Sequence, residues 1–255
     1  MNYPQPKQSK ILVIGETCID RYTWGSCDRL SPEAPVHIFR AVNATTKAGM
    51  AANVASNIES LGQMTNFVTN ESKIMKTRFI DFKSKQHVLR VDESDSCELI
   101  DVDQLDVFLN DQYDATVISD YNKGFLSPTV LTKIIPKLPK PVFVDSKKRD
   151  LSFFEGCVLK INKSEQNLAS DLPINCDLVI TLGDKGAEWK GTVYPAEKVH
   201  DVFDVCGAGD TFLAALVVHF CQFKNIKEAV VFANKCARVT VQRSGVYSVT
   251  LTDVS

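Results

Sequence analysis

Residues 204–212 read Asp204-Val205-Cys206-Gly207-Ala208-Gly209-Asp210-Thr211-Phe212, and the run that follows, to residue 223, is strongly helical in character. Glycines at a helix start leave the first backbone N–H groups bare, and the aligned peptide dipoles add positive potential there. That combination holds anions, phosphate above all. Asp210 falls in the first turn. A carboxylate beside an anion hole can take a proton from an attacking hydroxyl while the N–H groups of Gly207, Ala208 and Gly209 hold a transferring phosphoryl group. On these residues alone a plainer reading stands beside it: Gly-Ala-Gly caps a helix, and Asp210 is a favourable first-turn charge. The third glycine of the dinucleotide fingerprint is missing, and no Gly-x-x-x-x-Gly-Lys-[Ser/Thr] loop occurs, so a phosphate site here works without a Walker lysine.

Outward from this stretch, residues 208–223 and 226–243 read as two closing helices. In the first, Phe212, Ala215, Leu216, His219 and Phe220 follow the i, i+3, i+4 spacing of one apolar face. Upstream, short apolar runs at 11–15, 115–119, 141–144, 157–161 and 177–182 predict strands. Residues 127–135, opened by Ser127-Pro128, and 164–169 predict helices between them. This alternation predicts a mostly parallel sheet with helices on both faces. A further helix is expected over 49–61, with Gly62 just past its end. Strands at 36–42, 75–80 and 87–91 lack partner helices and read as a small separate sheet. The expected architecture is one α/β domain over 1–255 with a β-rich lid drawn from about 22–45 and 75–92.

Composition agrees with a globular chain. Of 255 residues, 44% are hydrophobic and 24% charged, which excludes a disordered, collagen-like or disulfide-stapled chain and allows a large core. Lys plus Arg number 29 against 31 Asp plus Glu, so neither nucleic acid nor an anionic membrane is an expected partner. Cys18, Cys27, Cys97, Cys157, Cys176, Cys206, Cys221 and Cys236 form no Cys-x-x-Cys pair. They read as free thiols used as small hydrophobes, which implies a reducing compartment. Residues 1–10 lack the apolar core of a signal peptide. The apolar run 211–221 is too short for the roughly 20 residues that span a bilayer. A cytoplasmic protein is expected. His37, His87, His200 and His219 lack ligand spacing, so a metalloenzyme is not expected. No Gly-x-Ser-x-Gly elbow occurs either.

With these residues in place, a family resemblance emerges. Residues 204–211 resemble the Asp-Thr-x-Gly-Ala-Gly-Asp signature of the ribokinase-like (PfkB) carbohydrate kinases. Other segments agree in order along almost the whole chain. Ile14-Gly15-Glu16-Thr17-Cys18-Ile19-Asp20 resembles the first strand and its sugar-contacting aspartate. Ala48-Gly49-Met50-Ala51-Ala52-Asn53 resembles the glycine-rich sugar turn. Asn162-Lys163-Ser164-Glu165 matches Asn-x-x-Glu, and Thr181-Leu182-Gly183-Asp184-Lys185-Gly186 resembles the nucleotide-side strand and turn. Within the family the likeness runs to the D-glycero-β-D-manno-heptose-7-phosphate kinases, the kinase half of ADP-heptose synthase. It is carried by Arg29-Leu30-Ser31-Pro32-Glu33-Ala34-Pro35-Val36, Lys76-Thr77-Arg78, Gln86, Arg90-Val91-Asp92, residues 119–124 and residues 145–150.

The resemblance implies a ribokinase-like fold and phosphoryl transfer from ATP to a sugar hydroxyl, O1 of the heptose 7-phosphate. By it, Asp210 is the base and Gly207, Ala208 and Gly209 form the anion hole. Asp20, Gly49 and Asn53 hold sugar hydroxyls, and Arg78, Gln86, Arg90 and Lys123 bind the substrate and its phosphate. Lys147, Asn162, Glu165, Thr181, Gly183 and Asn234 lie on the nucleotide side, with Glu165 serving Mg2+ through water. A monovalent cation and a homodimer through the lid strands belong to the same implication. Plainer readings accompany several of these: an Arg on an exposed strand is solvated, Asn234 is a satisfied helix polar group, and Asp20 caps a turn.

Four departures qualify the resemblance. Met50 stands where the sugar turn usually has a second glycine, a position at which a side chain is costly if φ is positive. A strand–helix unit after residue 68 is absent, since only residues 69–75 run from there to the next lid strand, and the surface it leaves bare is expected to meet a partner subunit. Ser146 and Lys148 replace a usual Pro and Gly. The sequence ends at Ser255, so no nucleotidyltransferase half is expected in it. Two alternatives follow: a kinase of this fold for a pentose, hexose phosphate or nucleoside, and a non-catalytic sugar- or nucleotide-binding relative.

Overall fold

The computed structural model describes residues 8–199, 201–243 and 245–254; the expectations for residues 1–7 and for His200 lie outside them. The first strand, β1 (Lys10–Gly15), is buried on both faces from Ile11 to Ile14, as an apolar run between helical layers demands. Around it stand β4 (Met64–Val68), β7 (Ala115–Asp120), β8 (Val142–Ser146), β9 (Val158–Asn162), β10 (Asp177–Thr181), β11 (Ala187–Trp189) and β12 (Thr192–Tyr194). Their order is β12-β11-β10-β9-β8-β7-β1-β4, parallel from β4 to β10 and antiparallel at β11 and β12. Side chains alternate across the sheet. Ile11, Val13, Val117 and Phe143 pack under α1 (Ala51–Ser60), α5 (Ala208–Phe223) and α6 (Ile226–Val241). Leu12, Ile14, Ile118, Val144 and Leu159 pack under α2 (Val102–Leu109) and α3 (Pro128–Ile134). The result is a mixed α/β fold with a large, mostly parallel sheet and a smaller sheet beside it.

That smaller sheet joins β2 (Thr17–Leu30), β3 (His37–Met50), β5 (Met75–Asp81) and β6 (His87–Glu93) in the order β3-β2-β5-β6. Its first hairpin is longer than the sequence suggests, starting at Thr17 and running to Met50. The expected helix therefore begins at Ala51 instead of residue 49, because Met50 has φ 58 and ψ −133, which no helix accommodates. Missed altogether are β4, β11, β12, α2 and the one-turn α7 (Leu251–Val254); the three strands are short, and α2 buries only Leu105. As the shortened chain requires, β4 ends the large sheet and residues 69–74 run directly into β5. A cleft of about 470 Å3 opens along this connection, lined by Ile19, Lys47, Phe67, Asn70 and Ile74 among others.

The start of α3 matches the sequence reading. Ser127 Oγ accepts from Val130 N at 3.3 Å, and Pro128 occupies a first-turn position. Ser127→Ala is expected to lower stability by about 1 kcal/mol. Urea denaturation should show an earlier midpoint with an unchanged slope. Among the described residues all eight cysteines are unbridged, four buried and four half-buried. No described helix is long and apolar enough to cross a membrane.

Candidate active site

The chain leaves β1 to build β4 on one side and β7 on the other. In open α/β sheets ligands gather beyond the carboxyl ends of the strands at such a reversal. Here those ends carry Glu16, Asp120, Asp145, Lys147 and Asn162, and the start of α5 joins them. Gly207 has φ 77, and a Cβ there would lie 2.8 Å from Asn53 Nδ2, so both conformation and space demand glycine. Asp210 follows, only 6% exposed. Its Oδ2 accepts from Asn53 Nδ2 at 2.9 Å and its Oδ1 from the Tyr121 hydroxyl at 2.6 Å. Burial pushes the Asp210 carboxyl above the usual range. The Asn53 and Tyr121 donors pull it back, Asp145 raises it and Lys160 lowers it.

Asn53 is held in turn. Asn57 Nδ2 donates to Asn53 Oδ1 at 3.0 Å, while Asn57 Oδ1 accepts from Thr211 Oγ1 at 3.2 Å and Val249 N at 3.1 Å. This chain of amides fastens α1 to α5 and the C-terminal segment. The Asn53 side chain, expected on sugar hydroxyls, is thus engaged with Asp210 and Asn57.

On one side of Asp210 lies a cationic cluster. Lys160, on β9 and 3% exposed, donates to Asp145 Oδ2 at 2.6 Å, and Lys147 donates to Asp145 Oδ1 at 2.9 Å and Glu165 Oε1 at 2.5 Å. A Cβ on Gly209 would sit 3.0 Å from Lys160 Nζ, so that ammonium stands against the helix mouth. Burial alone would raise the pKa of Asp145, but the Lys160 and Lys147 ammoniums overcome it and hold it down to about 2. Glu165 and Asn162 form a capping box on α4 (Lys163–Leu168), each side chain accepting the other's backbone N–H at 2.8 Å. Among the described residues no group of three or more His, Cys, Asp or Glu can hold a metal. Mg2+ commonly takes one or two carboxylates, several waters and substrate phosphates. Glu165, a half-buried oxygen donor beside the cationic cluster, fits that minor share. Thr181 ends β10, Gly183 opens a tight turn with φ 64, and Asn234 Nδ2 donates to Tyr194 O at 2.9 Å, tying α6 to β12.

On the other side stand the residues of the small sheet. Asp20 and Arg78 form a buried ion pair. A Cβ on Gly49 would sit 2.1 Å from Asp20 Oδ2, so that turn also requires glycine. Arg78 stacks over Tyr22 at 5.3 Å and faces Arg90 across the β5–β6 ladder. Arg90 grips Asp92 at 2.6 and 2.5 Å, and Lys123 pairs with Asp95 at 2.5 Å. Each of the three cations expected on a phosphate therefore already has a carboxylate partner. Gln86 is not brought in: it is exposed in the far hairpin, where its carbonyl accepts from Asp81 N.

The departures have physical accounts. Met50 does adopt a positive φ, and its side chain packs with Cys18 and Ile74. Ser146 Oγ donates to Asp120 Oδ2 at 2.6 Å, and Lys148 reaches Asp120 Oδ1 at 3.2 Å and Asn122 Oδ1 at 2.9 Å, so both replacements satisfy one buried carboxylate. Four members of the site escaped sequence reasoning: Glu16, Tyr121, Asp145 and Lys160. Lys160 did carry a signal, a lysine inside the apolar strand Val158-Leu159-Lys160-Ile161, since Lys is almost never fully buried unless paired.

Comparison with known proteins adds the lineage. The sequence profile described as "pfkB family carbohydrate kinase" matches residues 160–253, which include Lys160, Glu165 and Asp210. The "Bifunctional protein HldE" of Campylobacter jejuni strain RM1221 is 30% identical over 303 positions, covering 100% of this chain and 66% of that protein. The chain thus spans just under two thirds of this relative. Because 303 positions exceed the 255 residues here, the relative also carries internal segments with no counterpart. Among solved structures, the Arabidopsis thaliana ribokinase complexed with ribose and ATP superposes with a TM-score of 0.71 at 17% identity, covering 97% of this chain and 96% of that one. Phosphofructokinase-2 from Escherichia coli in complex with potassium reaches 0.77 at 16%, covering 97% of both. These two establish the fold as ribokinase-like, and the chain resembles the pfkB family of carbohydrate kinases over residues 160–253 and the HldE proteins along its whole length.

Proposed function

We propose that this chain transfers the γ-phosphoryl group of ATP to O1 of D-glycero-D-manno-heptose 7-phosphate. The observation that carries the kinase reading is Asp210, buried in the first turn of α5 behind the left-handed Gly207. ATP, bound with Mg2+, supplies the phosphoryl group. Asp210 takes the proton from the attacking hydroxyl. The N–H groups of Gly207, Ala208 and Gly209, with the Lys160 and Lys147 ammoniums, stabilise charge on the transferring oxygens. Asp20 accepts from sugar hydroxyls beside Gly49, and Asn53 orients Asp210. Asn162, Glu165, Thr181, Gly183 and Asn234 line the nucleotide side.

The heptose 7-phosphate reading rests on the resemblance of residues 29–36 and 76–92 and on Arg78 and Arg90 facing each other across one ladder. A phosphate dianion accepts bidentate hydrogen bonds from such guanidiniums. It would exchange for Asp92 and Asp95 on Arg90 and Lys123. Gln86 joins only if the small sheet closes over the site as a lid, which completes a single kinase unit over residues 1–255. The outward face of that sheet carries Phe39 against Phe79 at 5.2 Å, with Leu89 56% and Val91 37% exposed. A homodimer would bury it. The unbridged thiols suit a cytoplasmic setting.

ADP release with heptose 7-phosphate, fructose 6-phosphate, ribose and a nucleoside tests the substrate. A strong preference for the heptose phosphate is expected, with an anomeric phosphate in the 31P spectrum. Preference for a simple hexose or pentose would remove the heptose reading, which the strained Met50 turn makes a specific rival. ATP binding with no ADP formed on any sugar would favour a non-catalytic relative. Exchange of K+ for Na+ in the same assay tests the monovalent cation.

A further inference from the structure

Tyr121 lies one residue beyond β7, in a turn shaped by a buried carboxylate. Glu16 Oε2 accepts from Tyr121 N at 2.8 Å, and Glu16 Oε1 accepts from Lys123 N at 2.9 Å. From that turn the side chain makes three contacts of different origin. Its hydroxyl donates to Asp210 Oδ1 at 2.6 Å. Lys76 Nζ, on β5 of the small sheet, lies 5.6 Å from the ring centroid. Lys147 Nζ, which also holds Asp145 and Glu165, lies 5.6 Å from it as well. Both ammoniums are within cation–π reach.

The two hydrogen bonds on Asp210 therefore differ in kind. Asn53 belongs to the helical layer and is locked by Asn57. Tyr121 connects to the small sheet and to the nucleotide side. We propose that Tyr121 is a positioning residue for Asp210: its hydroxyl aims Oδ1 at the acceptor alcohol, and its ring ties that aim to the placement of Lys76 and Lys147. This deepens the kinase reading and rests on Asp210 being the base.

The surroundings of Asp210 set the sign of the expected effect. Asp145 on β8 opposes its ionisation, Lys160 on β9 favours it, and Asn53 on α1 and Tyr121 donate to it. Cys18 on β2 is a neutral thiol whose pKa burial pushes up to about 12. Tyr121 stays protonated, because burial and the Asp210 and Asp145 carboxylates raise its pKa well above the ordinary value. Removing its hydroxyl takes away a donor that favours the carboxylate, so Asp210 would hold its proton to higher pH.

The test is Tyr121→Phe, which keeps the ring and both lysine contacts. The acid limb of the kcat–pH profile should move up by about one unit, with kcat down about tenfold below that limb and the gap narrowing above it. KM for ATP should stay within about twofold of wild type. A uniform loss at all pH values, or an unmoved limb, would overturn the proposal. Lys76→Met should move the limb in wild type and not in the Tyr121→Phe background; equal shifts in both would sever the link to the small sheet. A second readout needs no turnover. The 13C carboxyl resonance of Asp210, assigned with Asp210→Asn, should titrate at higher pH in Tyr121→Phe. An unchanged titration refutes the role of Tyr121 even if no sugar is phosphorylated, whereas an Asp210→Asn enzyme with wild-type turnover removes Asp210 as the base, and ATP binding with no ADP formed on any sugar refutes the kinase reading itself.

Discussion

Asp210→Asn is expected to lower kcat about 10²–10⁴-fold, the usual share of a general base, while ATP still binds. The substitution removes the proton acceptor and leaves the mouth of α5 intact, because Gly207, Ala208 and Gly209 offer backbone groups that no side-chain change at 210 alters. Two donors converge on the native carboxylate, Asn53 Nδ2 and the Tyr121 hydroxyl. An amide in that place can keep its oxygen on Asn53 Nδ2 and turn its NH2 to the Tyr121 oxygen, which leaves the buried Tyr121 hydroxyl hydrogen without the acceptor it had. A stability loss of about 1–3 kcal/mol should accompany the loss of turnover. Calorimetric titration with ATP separates the two, since a folded, binding-competent and inactive variant is the expected result. Turnover within about threefold of wild type would remove Asp210 from the chemistry. The same placement fixes a pH sign: burial raises the carboxyl, so activity should fall away with acid at a pH above the ordinary aspartate range.

Asp145→Asn should be the most damaging single change to stability, by about 3–5 kcal/mol. The Asp145 and Lys160 side chains are each 3% exposed, so the lost carboxylate strands an ammonium out of water. Lys147 suffers less, because Glu165 still pairs with it. The double variant Asp145→Asn/Lys160→Met removes both charges and should recover most of the loss in urea denaturation. A double variant as unstable as the single one would show that the pair is not the cause. The carboxyl is held below its ordinary value of 3.8, down to about 2. Its contribution is therefore complete above about pH 4 and disappears as pH falls through 2, so wild type and the single variant should converge only in that acid window. KM for ATP is also expected to rise, since Asp145 holds Lys160 against the helix mouth.

How far the site was legible depended on what each residue signals locally. Gly207 needs a left-handed backbone and Asn162 a capping partner three residues on, and short-range patterns expose both. The helix over 208–223 and the parallel run of strands follow from periodicity for the same reason. Lys160 and Tyr121 are different. A lysine in a strand and a tyrosine in a turn are ordinary until their neighbours are known, and those neighbours lie on other elements. The start of α1 was misjudged by two residues because Met50 hides a glycine-like conformation behind a helix-forming side chain. The small sheet was legible as strands without partner helices. Its pairing was not, since β2 meets β5 in parallel across some 55 intervening positions.

The chain's amino acids by themselves determined the alternation of strand and helix, the glycine-flanked mouth of α5, the acidic residue behind it and the family resemblance, because each is written in contiguous residues whose backbone preferences act over a few ångströms. Tertiary structure alone decided that Asn53 and Tyr121 meet Asp210 across sequence separations of 157 and 89, that Lys160 closes on Asp145, and that the expected phosphate-binding cations are already paired. Burial and charge pairing are properties of a place in space, and distant segments acquire a common place only when the sheet order brings their strand ends together.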